Sequence, residues 1–200
     1  MVSTHKRPYR LKARAERQRR TRERIVAATV ALHEEVGPAR TTIAAIARRA
    51  GVQRLTVYNL FPEARDLFAA CQQRFLFETP VPDLAARHVA DPIAHLQTTL
   101  VRLYTWYGAT RPMERHVHRD RHLIPALDAL MAKTSDVKFS EVVHAHARAI
   151  ARRPPSTRLK AIVGLAFAFW TWELLTSFGL NAAASAELMA RAVRAARPSG

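Results

Sequence analysis

The chain is expected to be all-α, and three features of its 200 residues agree on this. Apolar residues recur at steps of three and four along most of its length, the spacing of a helix face turned to a core. No β-hairpin signal interrupts them. Gly and Pro breakers divide the pattern into helix-sized pieces at Gly37-Pro38, Gly51, Pro80, Arg111-Pro112, Lys133 to Asp136, Pro154-Pro155 and Gly179.

Taken in order, residues 1–18 are polar and basic without apolar periodicity and read as a flexible arm. From about Arg19, the residues Ile25, Ala28, Thr29, Leu32 and Val36 form one buried stripe, ended by Gly37-Pro38. Thr41 or Thr42 supplies an N-cap hydroxyl for a short helix carrying Ile43, Ile46 and Ala47, and Gly51 suits the left-handed turn after it. Gln53 to Leu60 makes a second short helix. Pro62 opens another through Leu67, Phe68, Cys71 and Phe75, closed by Pro80 and Pro82. Helices are expected near 92–109, 114–132, 137–153, 156–179 and 183–197. Residues 19–66 thus form a helix-turn-helix domain and 67–198 a larger helical domain.

Hydrophobic residues are 48% of the chain and charged residues 24%, which excludes a disordered composition. Lys and Arg number 32 against 16 Asp and Glu, a net +16 that favours polyanions. The charge is concentrated: residues 1–65 hold 15 Lys/Arg and 5 Asp/Glu. Cys71 is the only cysteine, so no intramolecular disulfide or CxxC site exists. The basic start lacks a signal-peptide core, and the apolar run Ala161 to Trp172 ends at Glu173, too short for a span of roughly 18–20 residues. A cytoplasmic protein with a buried helix there is expected, with no membrane partner.

Two short helices joined at a glycine let the second enter a major groove while the first braces it. Ile46, Ala47, Ala50, Val52 and Val57 are apolar or small where the helices must touch, whereas Arg48, Arg49, Gln53, Arg54, Thr56 and Asn59 stay polar and outward. The run Thr41-Thr42-Ile43-Ala44-Ala45-Ile46-Ala47-Arg48-Arg49-Ala50-Gly51-Val52, then Thr56-Val57-Tyr58 and Phe61-Pro62, resembles the DNA-binding signature of the TetR family. The resemblance implies a homeodomain-like three-helix domain. It implies that Thr42 and Tyr58 hold phosphates and that Gln53, Arg54, Leu55, Thr56 and Asn59 face the groove, with Thr41 and Arg49 completing the DNA-binding set. The chain departs from the pattern at Leu55, at Asn59-Leu60, and at Ala64, where a phosphate-holding Lys is common; Arg65 is the substitute. From the arm, His5 to Arg24, 10 Lys/Arg and 2 Asp/Glu reach either the minor groove or solvent.

The same resemblance implies a homodimer through the last two helices and a small-molecule effector that alters the spacing of two recognition helices, which sit roughly 34 Å apart on an inverted-repeat operator of double-stranded DNA. The helix 156–179 shows two apolar stripes, Leu159, Ile162, Val163, Ala166, Trp170 and Leu174 on one side, Leu165, Phe169, Trp172 and Thr176 on the other. It pairs with 183–197 through Ala184, Leu188, Ala192 and Ala195. Candidate effector-binding residues are Trp106, Tyr107, Met113, Phe139, His146, Phe167 and Trp170, aromatic or polar side chains suited to a flat or apolar ligand.

The reading is therefore a ligand-responsive transcriptional regulator, a repressor in the simplest case, with no cofactor and no catalysis. Two rivals compete with it. A His-rich metal enzyme would use His116, His118, His122, His144 and His146, but no HExxH spacing accompanies them. A nonspecific nucleoid-type DNA binder would use charge alone and leave the aromatic C-terminal part without a purpose.

Overall fold

The computed structural model describes residues 6–87, 89–151 and 154–197. They fold into two units, Met1–Thr79 with Arg115–Leu130, and Pro80–Glu114 with Met131–Gly200. The division after Thr79 coincides with the prolines that close the fourth helix, and the first unit includes a segment from the middle of the chain.

In the first unit, α1 (Lys6–Glu35) packs on α2 (Ile43–Ala50) and α4 (Ala64–Glu78), and α2 packs on α3 (Arg54–Leu60). Its interior is Ile25, Thr29, Ile46, Ala47, Val57, Phe61, Leu67, Cys71 and Phe75, all buried. Burial pushes the Cys71 thiol up to about 12, so it is a packing residue and not a nucleophile.

The stretch read as an arm is helical from Lys6, and residues 1–5 lie outside the described ones. Periodicity missed it because periodicity reports burial: no residue from Lys12 to Arg24 is buried. Its support is local. Glu16 pairs with Arg19 and Arg20, and Arg19 with Glu23, at the three- and four-residue spacings that stabilise a solvated helix.

The second unit is built around α5 (Pro92–Asp120), α7 (Ser135–Ile150), α8 (Thr157–Phe167), α9 (Phe169–Ser177) and α10 (Ala182–Ala195), while the short α6 (Pro125–Lys133) lies in the first unit as far as Leu130. Leu96, Leu100, Tyr104, Leu159, Val163, Phe167 and Val193 form its core. The residues of α5 up to Glu114 belong to this unit and those from Arg115 onward to the first. The break expected at Arg111-Pro112 is absent, because Pro112 lies inside α5. Burial of Tyr107, Thr110 and Met113 on either side offsets the lost backbone bond, which costs about 3 kcal/mol. The expected helix 114–132 is divided instead by a 3-10 turn at Arg121–Leu123.

The expected helix 156–179 is also two helices, bent by 62° at Ala168, whose backbone is extended (φ −71°, ψ 133°). No single helix among the described residues is long and apolar enough to cross a membrane. Neither Gly nor Pro causes the break. The carbonyls it frees accept hydroxyls from α5: Tyr104 donates to Ala166 O at 2.6 Å and Tyr107 to Phe167 O at 2.8 Å. The break also exchanges faces. Leu159, Val163 and Ala166 are buried but Trp170 and Leu174 exposed, whereas Leu165 is exposed and Phe169 and Trp172 buried. Each stripe read from the sequence therefore changes sides at Ala168.

Candidate nucleic-acid interface

Thr42 caps α2, its hydroxyl accepting the Ala45 N–H at 3.1 Å, while the Thr41 hydroxyl donates to Gly37 O at 2.9 Å. Gly51 closes the helix at φ 63°, with Val52 N–H on Ala47 O and Gly51 N–H on Arg48 O, the paired bonds of a left-handed C-cap. The turn delivers α3 with Val57 fully buried against α2 as its anchor. The opposite face of α3 is open. Gln53, Arg54 and Asn59 are exposed, Thr56 is half-buried, and Leu55 and Tyr58 are 63% and 53% exposed. Gln53 stands at the N-cap position without capping through its side chain, so its amide stays available.

The expected binding residues are therefore brought to one connected stretch, with two distinctions. Arg49 is paired at both guanidinium nitrogens with Glu35, which joins α2 to α1 and holds the Glu35 carboxyl below its ordinary range. Arg65 is exposed, 3.8 Å from Asp66. At the end of α3, the Arg22 guanidinium lies over the Phe61 ring at 4.2 Å and ties the basic half of α1 to the recognition segment.

The sequence reading missed what fixes the α1–α2 turn. Asp120, 1% exposed, accepts the Ala39 N–H at 3.0 Å and two bonds from Arg119, and Arg119 also donates to Val36 O. Burial opposes ionisation of Asp120, but the Arg119 guanidinium and the Ala39 N–H outweigh it and keep the carboxyl below its ordinary range. His116 Nδ1 donates to His33 O at 3.0 Å. His33 itself is buried, stacked on Phe68, and burial lowers its imidazole to about 4. Gly37-Pro38 marks the turn in the sequence, but nothing there announces a carboxylate more than eighty residues later.

The effector candidates divide between the interior and the surface. Tyr107, Met113, His146 and Phe167 are buried, whereas Phe139 and Trp170 are 40% and 48% exposed. They pack on one another or on core neighbours: Trp106 on Tyr107 at 5.6 Å, Tyr107 on Trp172, His146 on Phe167 at 5.0 Å. His146 Nε2 donates to Leu84 O. Among the described residues, no group of three or more His, Cys, Asp or Glu is arranged to hold a metal ion.

Comparison with known proteins agrees with this geometry. A family model described as bacterial regulatory proteins, tetR family, matches residues 25–71, the end of the exposed part of α1 through most of α4. A solved TetR-like transcriptional regulator from Rhodococcus sp. RHA1 superposes with a TM-score of 0.58 over 87% of this chain and 93% of that one, at 18% identity, a likeness of fold. No curated protein matches the chain by sequence. With a capped α2, a left-handed glycine turn and an open α3, residues 25–71 have both the sequence and the geometry of the tetR-family helix-turn-helix segment that they match.

Proposed function

We propose that the chain works as a homodimeric repressor that leaves an inverted-repeat operator when a small molecule binds its second unit. The observation that carries the reading is the pairing of two open surfaces of opposite character. On the first unit, α3 presents forked and hydroxyl side chains. Arg54, Gln53 and Asn59 match base edges, Leu55 a thymine methyl, and Tyr58, Thr42 and Arg65 phosphates. On the second, Leu165, Trp170, Leu174, Phe178 and Leu188 are 46–77% exposed, large apolar groups that a lone chain would leave in water. A partner copy packed on α9 and α10 covers them and sets two recognition helices one DNA turn apart. The signal path is α5, which starts in the second unit and ends at Asp120 on the α1–α2 turn; a shift along its axis re-aims α2 and α3.

The helical start of α1 alters the expected role of the arm. An α-helix with side chains is about 10–12 Å across and does not enter a minor groove about 6 Å wide. Its basic side chains lie along phosphates instead.

Sedimentation at micromolar concentration tests the dimer, and selection from a random duplex pool tests the operator. A dimer with an inverted repeat is the expected result. A monomer, or equal affinity for random and selected DNA, sinks the reading in favour of charge-driven binding.

A further inference from the structure

Away from the exposed apolar surface, the second unit carries a groove of about 400 Å³ lined by Ile93, Gln97, Glu187, Ala190, Arg191 and Arg194. It adjoins one of about 460 Å³ that shares Ile93 and Arg194 and adds Ile150 and Arg197. Two kinds of surface meet here. Ile93, Ala190 and Ile150 are no more than 3% exposed and make an apolar floor. Arg191 and Arg194 stand three positions apart in the last turns of α10, on one side of the helix over that floor, and Arg197 lines the second groove just past the helix end.

The carboxylates nearby are committed. Asp91 caps α5, accepting the N–H groups of Ile93 and Ala94 at 3.0 Å each, and Glu187 pairs with Arg191 at 2.6 Å. Arg194 makes no hydrogen bond to a side chain among the described residues. Three guanidinium groups against two carboxylates leave a positive charge beside an apolar floor. Helical geometry, about 100° per residue, puts this face of α10 roughly 110° round from Leu188 and the surface assigned to the partner copy, so dimerisation leaves it open. None of the aromatic effector candidates lines either groove.

We propose that this groove binds an amphipathic monoanion, a carboxylate on an apolar body, with the body on Ile93, Ala190 and Ile150 and the carboxylate between Arg191 and Arg194. Guanidinium suits the charge because its planar fork meets a carboxylate with two parallel bonds. Gln97 supplies a neutral donor at the rim. The proposal names the effector class for the function above and rests on that reading only for its effect on DNA; binding does not depend on it.

Isothermal titration of the full chain with octanoate, octanol and inorganic phosphate tests the site. Octanoate binds with one site per chain. Its affinity falls at least tenfold in Arg194→Ala and further in the double variant with Arg191→Ala, and it is unchanged in Arg148→Ala on exposed α7 surface. Octanol binds the unaltered chain no better than octanoate binds Arg194→Ala. Circular dichroism confirms that the variants keep their helix content, as expected for exposed side chains. Equal affinity for octanol and octanoate, tighter binding of phosphate than of octanoate, or an unaffected Arg194→Ala overturns the proposal. Octanoate that binds at this groove and leaves operator affinity unchanged upholds the site and sinks ligand-driven release, so the two failures are separable.

Discussion

Gly37→Ala separates two reasons for the shape of the α1–α2 turn. Gly37 has φ 91° and ψ 159°, a region essentially reserved for glycine, and forcing an L-residue into it costs about 1–3 kcal/mol. Space is a second obstacle: a Cβ there would overlap the Arg119 guanidinium and the Asp120 carboxylate and crowd the His116 Cβ at 3.3 Å. Displacing the pair forfeits the Ala39 N–H bond to a charged acceptor, about 1.5–3 kcal/mol. The total is about 4 kcal/mol, which for a chain of this size lowers Tm by about 8–16 °C. Gly51→Ala is the control. Its φ of 63° is left-handed too, but nothing lies within 4 Å of the added methyl, so the cost is about 1–2 kcal/mol. Thermal denaturation followed by circular dichroism reads both. If Gly37→Ala proves no more damaging than Gly51→Ala, the close approach of Asp120 does not set the turn.

Arg54→Ala lowers operator affinity about 10- to 100-fold while Tm stays within a few degrees, as measured by fluorescence anisotropy and melting; the side chain is exposed and makes no hydrogen bond or ion pair among the described residues. Replacing Lys12, Arg14, Arg17 and Arg24 with Gln flattens the slope of log affinity against log salt by about 3, and an unchanged slope removes the helical extension from the interface. Tyr104→Phe leaves the Ala166 carbonyl without its donor at the bend and costs about 1–3 kcal/mol in a urea titration. For His33, an imidazole at about 4 in the folded chain against 6.5 unfolded means that the unfolded state takes up the proton first as pH falls. Stability is therefore lost from about pH 6.5 down to about pH 4, by about 3 kcal/mol in all, and levels off below. His33→Gln removes that dependence; a wild-type minus variant difference that stays flat with pH contradicts it.

The helix-turn-helix was legible because its signals are local: the Thr42 cap, Gly51 in its turn and buried Val57 all lie within the segment they shape. Three features were hidden for the opposite reason. The bend at Ala168 has no breaker of its own and is held by tyrosines more than sixty positions upstream. Pro112 normally ends a helix, and only burial on both sides of it keeps α5 continuous. From Lys12 to Arg24 α1 buries no residue, so no stripe could reveal that stretch. The effector residues were chosen for their chemistry; Tyr107 spends its hydroxyl on the Phe167 carbonyl and packs its ring edge-on against Phe169. Arginines on α10 drew no attention because a basic last turn is ordinary helix dressing.

The bend at Ala168 has an evolutionary corollary. In a straight rod, drift in the outward residues would always be read in phase with the residues that fill the interior two turns away. Here the phase resets after Phe167, so Trp170 and Leu174 answer to different neighbours from Leu159 and Val163 although they share one apolar run. The outward surface can be rewritten on the downstream half while the upstream half is left alone, and alignments that treat the run as one continuous helix will pair interior positions of one relative with outward positions of another.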